Sequence, residues 1–235
     1  MSKRNIAHHI DFSAGEVILI DKEKGISSFT IIRNLKRIVE IKKIGHAGTL
    51  DPMATGLVIL CTGKMTKQIA SYQAAEKTYE GIITLGGITP SYDAETSVTK
   101  IFDYSSITNA DIEEARGRFL GEIDQIPPIY SALKVGGERL YKKALKGEKV
   151  ELKARKVKVF EFLIKSINLP EISFKLRCSK GTYVRSLAYD FGKALNNGAY
   201  LSGLRRTFIG DFSVNDALSI REFENLILNA EEVIL

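Results

Sequence analysis

Between residues 172 and 178 the chain sets Ile172, Phe174, Leu176 and Cys178 against Ser173, Lys175 and Arg177 in strict alternation. That period of two belongs to a β-strand with one face on a core and the other in water, because a helix would scatter the same apolar side chains around its axis. A short way on, the period changes. Over 184–195, Leu187, Phe191 and Leu195 recur every fourth residue, the stripe of an amphipathic helix, with Asn197 and Gly198 as its expected stop. A half-buried strand followed so closely by a helix with one apolar face points to an α+β architecture.

Both periods recur along the chain. Ser27 or Ser28 caps an expected helix whose apolar positions are Ile31, Ile32, Leu35, Ile38 and Val39 and whose polar face is Arg33, Lys36 and Arg37. Thr108 opens another, with Asp111 three residues on as the partner in a capping-box arrangement and Ile112, Ala115 and Phe119 on the inner face. Strands are expected over 79–86 and 157–164, and a closing helix over 219–228. No repeat, low-complexity tract or proline-rich linker divides the 235 residues, so one domain spanning 1–235 is expected.

Composition removes several classes. With 44% hydrophobic and 26% charged residues the chain has the makings of a globular core. Its longest apolar runs, near 16–20 and 56–60, fall far short of the roughly 20 residues a membrane helix needs. The amino-terminal stretch MSKRNIAHHIDFSAGE lacks the apolar segment of a signal peptide, so a cytoplasmic location is expected. Cys61 and Cys178, each within an apolar stretch, suit buried free thiols in a reducing compartment. Three histidines and no Cys-x-x-Cys pair give no basis for a metal site.

The formal charge is +6, and it is concentrated. Ten Lys or Arg and three Glu lie between 134 and 158, a local excess of seven that leaves the rest of the chain near −1. Such a segment is either a solvated basic surface or the footprint of an anionic partner.

The stretch GHAGTLDPMATGLVILCTG, residues 45–63, has the make-up of a functional loop entering a buried strand. Gly45, Gly48 and Gly56 permit positive φ and close approach of other backbone, and Pro52 fixes φ directly after Asp51. On turn chemistry alone, an Asp-Pro step is a common turn initiator whose carboxylate bonds its own backbone.

GHAGTLDPMATG resembles, over its whole length, the active-site motif of TruB-type pseudouridine synthases. KGISSF at 24–29, KTYE at 77–80, IPPIYSALKVGGERLY at 126–141, CSKGTYVRSLAYDFG at 178–192 and GAYLSGLRRTFIGDF at 198–212 resemble further motifs of that family, in the family's order. The resemblance implies the pseudouridine synthase fold, a central mixed, largely antiparallel sheet flanked by helices and loops. It also implies conversion of a T-loop uridine of tRNA, position 55, to pseudouridine without cofactor or metal.

Residue by residue, the resemblance puts Asp51 at the catalytic aspartate, Tyr79 at the tyrosine that stacks on the target base and Arg185 at the arginine that pairs with the aspartate. His46, Tyr183 and Leu204 stand at positions associated with the substrate nucleotide, His46 where a histidine fills the space left by the flipped base. Asp93 reads as a turn residue. In relatives the region after IPPIYSALK is a mobile insertion that grips the T arm, so Lys142, Lys143, Lys146 and Lys149 are expected on phosphates, with Arg205 and Arg206 as further phosphate contacts.

Two loops depart from the family pattern: KEKG, with Glu23 where proline is common, and TPSYDAET after the strand. About two dozen residues follow Phe212, too few for the extra carboxy-terminal RNA-binding domain of many relatives, so greater dependence on the T arm is expected. The partner implied is tRNA, with a monomer and no obligatory protein partner. The competing readings are an RNA-binding protein that loosens and reforms tRNA without catalysis, and a guide-dependent synthase that works with protein and guide-RNA partners.

Overall fold

The computed structural model describes residues 11–131, 133–148, 150 and 152–232. In chain order the first elements are β1 (Val17–Lys22), α1 (Ser28–Ile38), β2 (Ile44–His46), β3 (Thr55–Thr62), a 3-10 turn over Gly63–Gln68, α2 (Ile69–Ala74) and β4 (Lys77–Leu85). There follow β5 (Gly87–Ile88), β6 (Lys100–Ile101), α3 (Asn109–Gly117), β7 (Gly121–Gln125), β8 (Lys134–Val135), β9 (Glu138–Arg139) and α4 (Leu140–Leu145). The last are β10 (Arg155–Asn168), β11 (Glu171–Cys178), α5 (Val184–Ala194), β12 (Ala199–Ile209), β13 (Phe212–Ser213), a 3-10 turn over Val214–Asp216 and α6 (Ile220–Glu232). No described helix is long and apolar enough to cross a membrane.

The chain forms two compact units, one of Met1–Tyr79 with Leu204–Leu235 and one of Glu80–Gly203. Both divisions fall inside strands, β4 and β12, which is why composition marks no boundary there. In the first unit β1 runs antiparallel to β3, from Val17 opposite Cys61 to Lys22 opposite Gly56. The other edge of β3 is shared. β2 pairs antiparallel with its end, and β12 runs parallel to its start, with Arg205 beside Thr55 and Arg206 beside Gly56.

Leu19, Leu57, Ile59, Cys61, Ile209 and Val214 form one buried cluster, with Met65, Ile69 and Tyr72 packed on it. The alternate residues Ile18, Ile20, Val58 and Leu60 are buried as well, so both faces are covered and the sequence reads as continuous apolar runs rather than an alternation. Ser27 caps α1, its hydroxyl accepting from Thr30 N–H, and Ile31 and Leu35 are fully buried.

In the second unit the strand order is β4-β11-β10-β7, with β10 antiparallel to both neighbours. The alternation over 172–178 is realised residue by residue: Ile172, Phe174, Leu176 and Cys178 are buried and the residues between them are not. Phe162 meets Phe174 and Phe191 edge-on at 5.7 and 5.8 Å between ring centres. Thr108 and Asp111 close the expected capping box on α3. The helix over 184–195 ends differently from expectation: Asn196 takes the left-handed conformation at φ 52°, and Asn197 N–H bonds Gly192 O at 2.8 Å. The chain therefore turns one residue before the Asn-Gly pair, and Leu195 becomes a half-buried cap.

Candidate active site

The loop carrying Asp51 lies in the first unit, between β2 and β3, and its backbone is held from three sides. Arg206 Nη2 donates to Gly48 O at 3.1 Å. The Ser28 hydroxyl accepts from Leu50 N–H at 3.0 Å and donates to Leu50 O at 3.2 Å. Lys22 Nζ donates to Pro52 O at 3.1 Å and to Glu23 O at 2.9 Å, while Gly25 N–H bonds the same Pro52 carbonyl at 2.8 Å. Lys22, Ser28 and Arg206 are each at most 1% exposed. Buried donors of this kind remain in place only while their acceptors do, so the peptides at 48, 50 and 52 are fixed on both sides of the half-buried Asp51.

Arg206 is the hub of this arrangement. Besides Gly48 it donates Nε–H to Leu57 O at 2.8 Å and bonds the Tyr79 hydroxyl. Burial lowers its pKa, and the charge and hydrogen bond of Tyr79 act the other way. The expectation of a phosphate contact at Arg206 is therefore corrected: a guanidinium with 1% exposure and its donors spent on Gly48, Leu57 and Tyr79 cannot reach a nucleic-acid backbone. Arg205, the preceding residue on the strand, points the other way and grips Asp21 with two bonds, 3.0 and 2.6 Å.

Tyr79, 8% exposed, has its hydroxyl fixed by Arg206, so its ring plane is set in advance. His46 Nε2 lies 3.1 Å from the Thr49 hydroxyl. Burial first, then the positive charge of Arg206, hold its pKa below the usual histidine value, so the ring is neutral in neutral solution. The Leu204 carbonyl accepts from the Thr55 hydroxyl at 3.4 Å.

Gly56 shows how tightly β12 lies against the loop's exit. Its φ is +101°, and a Cβ there would fall 2.3 Å from Arg206 O and 2.7 Å from Arg206 N. Gly56→Ala is therefore expected to destabilise the protein by about 3 kcal/mol or more, from positive φ and overpacking together. The check is a lower urea midpoint at unchanged slope.

Arg185 and Tyr183 belong to the second unit. Arg185 is not the surface arginine that the first turn of a helix suggests: at 4% exposure it donates to Ser91 O at 3.1 Å and Tyr130 O at 3.0 Å. It also faces Asp93 Oδ2 at 3.3 Å. Asp93 is fully buried, its Oδ1 accepting from the Ser91 hydroxyl at 2.5 Å and from Glu95 N–H at 2.9 Å. It is a turn residue, as expected, and also an anion that holds Arg185, a role with no signature in composition. Tyr183 exchanges two backbone bonds with the Gln125 side chain, 2.7 and 3.0 Å, and the Arg155 guanidinium lies 4.5 Å from its ring centre.

The basic segment forms the β8–β9 hairpin and α4. Lys143 pairs with Glu148 at 3.0 Å and Lys146 with Glu138 at 2.9 Å. The hydrogen bond from Glu138 and its charge raise the pKa of Lys146. Lys142 lies on α4, and Lys149 falls outside the described residues.

The amino-terminal-domain model of the TruB family of pseudouridylate synthases matches residues 36–184. The tRNA pseudouridine synthase B of Flavobacterium johnsoniae is 51% identical over 221 residues, 91% of this chain and 96% of that protein. That of Phocaeicola vulgatus is 47% identical over 220 residues, 91% and 94% of the two chains. A solved structure, the crystal structure of a Cbf5-Nop10-Gar1 complex, is similar with a TM-score of 0.75 and 27% identity. The match covers 95% of this chain and 57% of that one.

Proposed function

Because the chain belongs to the TruB family of pseudouridylate synthases, we propose that it isomerises uridine 55 in the T loop of tRNA to pseudouridine, with Asp51 as the catalytic carboxylate. The observation that carries this reading is the loop whose peptides at 48, 50 and 52 are pinned by three buried side chains. Catalysis by positioning needs a reactive group whose place is set before substrate arrives. The names of the relatives, tRNA pseudouridine synthase B, support tRNA as the substrate.

In this reading the uridine leaves its stack at a cost of a few kcal/mol, offset by aromatic and backbone contacts. Tyr79, with its ring plane fixed, supplies the aromatic face, and the neutral His46 fills the space the base vacates. The N1–C1′ bond breaks, the uracil turns in place and C5 joins C1′. C5 then loses its proton and N1 ends protonated, so the sum is an isomerisation with no external reagent. Asp51 works at the sugar as a carboxylate, whether it attacks C1′ or takes a ribose proton. Arg185 orients that carboxylate, Tyr183 and Leu204 line the nucleotide, and the protein acts without a partner subunit.

The experiment is pseudouridine formation in unmodified tRNA transcript by the purified protein alone, with the modified position mapped. Pseudouridine at position 55 supports the reading. Bound but unmodified tRNA would replace it with the RNA-binding reading, and modification elsewhere would reassign the target.

The basic hairpin supplies a separate expectation. Replacing Lys142, Lys143, Lys146 and Lys149 by alanine should weaken T-arm binding and make log K fall less steeply with log salt, by about 0.7 to 0.9 for each phosphate no longer neutralised. Because Lys143 and Lys146 already have carboxylate partners, the change should be smaller than four unpaired lysines would give. Titrations at several salt concentrations measure it, and an unchanged slope removes this segment from the phosphate-binding surface.

A further inference from the structure

Helix α1 carries an exposed stripe that the proposed site does not use. Phe29 is 71% exposed, and Arg33, Lys36 and Arg37 are exposed with it. Their spacing, i, i+4, i+7 and i+8, puts all four on one face of the helix. Among the described residues none of the three cations has a carboxylate partner.

The helix dipole accounts for part of this. Lys36 and Arg37 stand in the last turn, where cations are favoured without any ligand. It does not account for Arg33 in the middle of the helix, nor for a phenylalanine left in water beside the first turn. The stripe also begins at the site: Ser28, next to Phe29, is the residue whose hydroxyl bonds both the N–H and the carbonyl of Leu50. From there it runs about 12 Å to Arg37 at about 1.5 Å per residue, several times the rise of about 3.4 Å per nucleotide along a stacked strand. A few residues past the helix, Lys43 O accepts Gly63 N–H, which brings Lys43 near Lys64, both exposed.

We propose that this face of α1 is an RNA track, with Phe29 stacking on a base next to the flipped uridine and Arg33, Lys36 and Arg37 following the phosphates of the strand that leaves the site. Aromatic faces next to cations are the sequence-tolerant way of holding a single strand. The stripe would guide the strand independently of the basic hairpin, because it lies on a different element of the other compact unit. The inference rests on the tRNA reading above.

The test compares wild type with Arg33→Gln/Lys36→Gln/Arg37→Gln and with Phe29→Ala, titrated with a T-arm hairpin over a range of salt. The triple variant should bind at least about tenfold more weakly and show a salt slope shallower by about 2 to 3. Phe29→Ala should bind about tenfold more weakly with the slope unchanged. A benzophenone analogue of phenylalanine at position 29 gives a second readout in an otherwise native chain, and should crosslink to a nucleotide adjacent to the target. Unchanged affinity and slope in the triple variant, or no RNA crosslink from position 29 while wild type binds and modifies the hairpin, would overturn the track. Wild type that neither binds nor modifies the hairpin would instead remove the tRNA reading on which it rests.

Discussion

Asp51→Asn is expected to lower the rate of pseudouridine formation by at least about 10³-fold while T-arm affinity stays within a few-fold of wild type. A positioned proton-transfer group is worth about 10² to 10⁴, and a carboxylate acting directly on the sugar should lie toward the upper end. Asparagine has nearly the same shape without the charge or basicity. The loop peptides at 48, 50 and 52 are held through their backbone by Arg206, Ser28 and Lys22, and a thermal melt of the variant separates lost chemistry from lost folding. Single-turnover pseudouridine formation together with a binding titration separates the two quantities. Retained activity in Asp51→Asn would take the carboxylate out of the mechanism, and lost binding would make it a substrate contact instead.

The largest loss of stability should come from Asp93→Ala. The Arg185 guanidinium is 4% exposed and Asp93 is fully buried, so removing the acid leaves a cation in a poorly solvated place. Breaking a buried pair on one side costs about 3 to 5 kcal/mol, which for a chain of this size lowers the thermal midpoint by roughly 10 °C. The loop 91–95 should loosen too, since Asp93 also accepts from Ser91 and Glu95. Asp93→Leu combined with Arg185→Met should recover part of the loss by removing both charges together. Calorimetry decides it: a midpoint unchanged in Asp93→Ala would mean that Asp93 is not needed to hold the Arg185 guanidinium in place.

What could be read in advance, and what could not, follows from the range of the interactions. The capping box at Thr108 and Asp111 and the alternation over 172–178 are local, involving residues a few positions apart, and the folded chain realises both. From sequence alone Ser27 and Ser28 are indistinguishable as caps, because the second serine's partner is Leu50, twenty-two residues away. In the sequence the arginines at 205 and 206 look alike for the same reason. Pairing beside β3 sends one to Asp21 at the half-exposed edge and the other into the core, and nothing within a few residues of either could have told them apart. Asp93 was legible as a turn former through Glu95, whereas its contact with Arg185 spans ninety-two residues. The motif around Asp51 is legible as a loop in the sequence, but the side chains that hold its backbone, Lys22 and Arg206, come from opposite ends of the chain.

The two cysteines have a practical consequence. Both are buried thiols outside any disulfide, and burial pushes the Cys61 thiol up to about 11, far from the thiolate that maleimides and disulfide reagents attack. Burial of both thiols and the raised pKa of Cys61 leave the native protein a low background toward such reagents. A single cysteine placed at an exposed position would then be the thiol that takes a dye or spin label most readily, so local motion at that position could be followed during catalysis without first mutating the natural cysteines away.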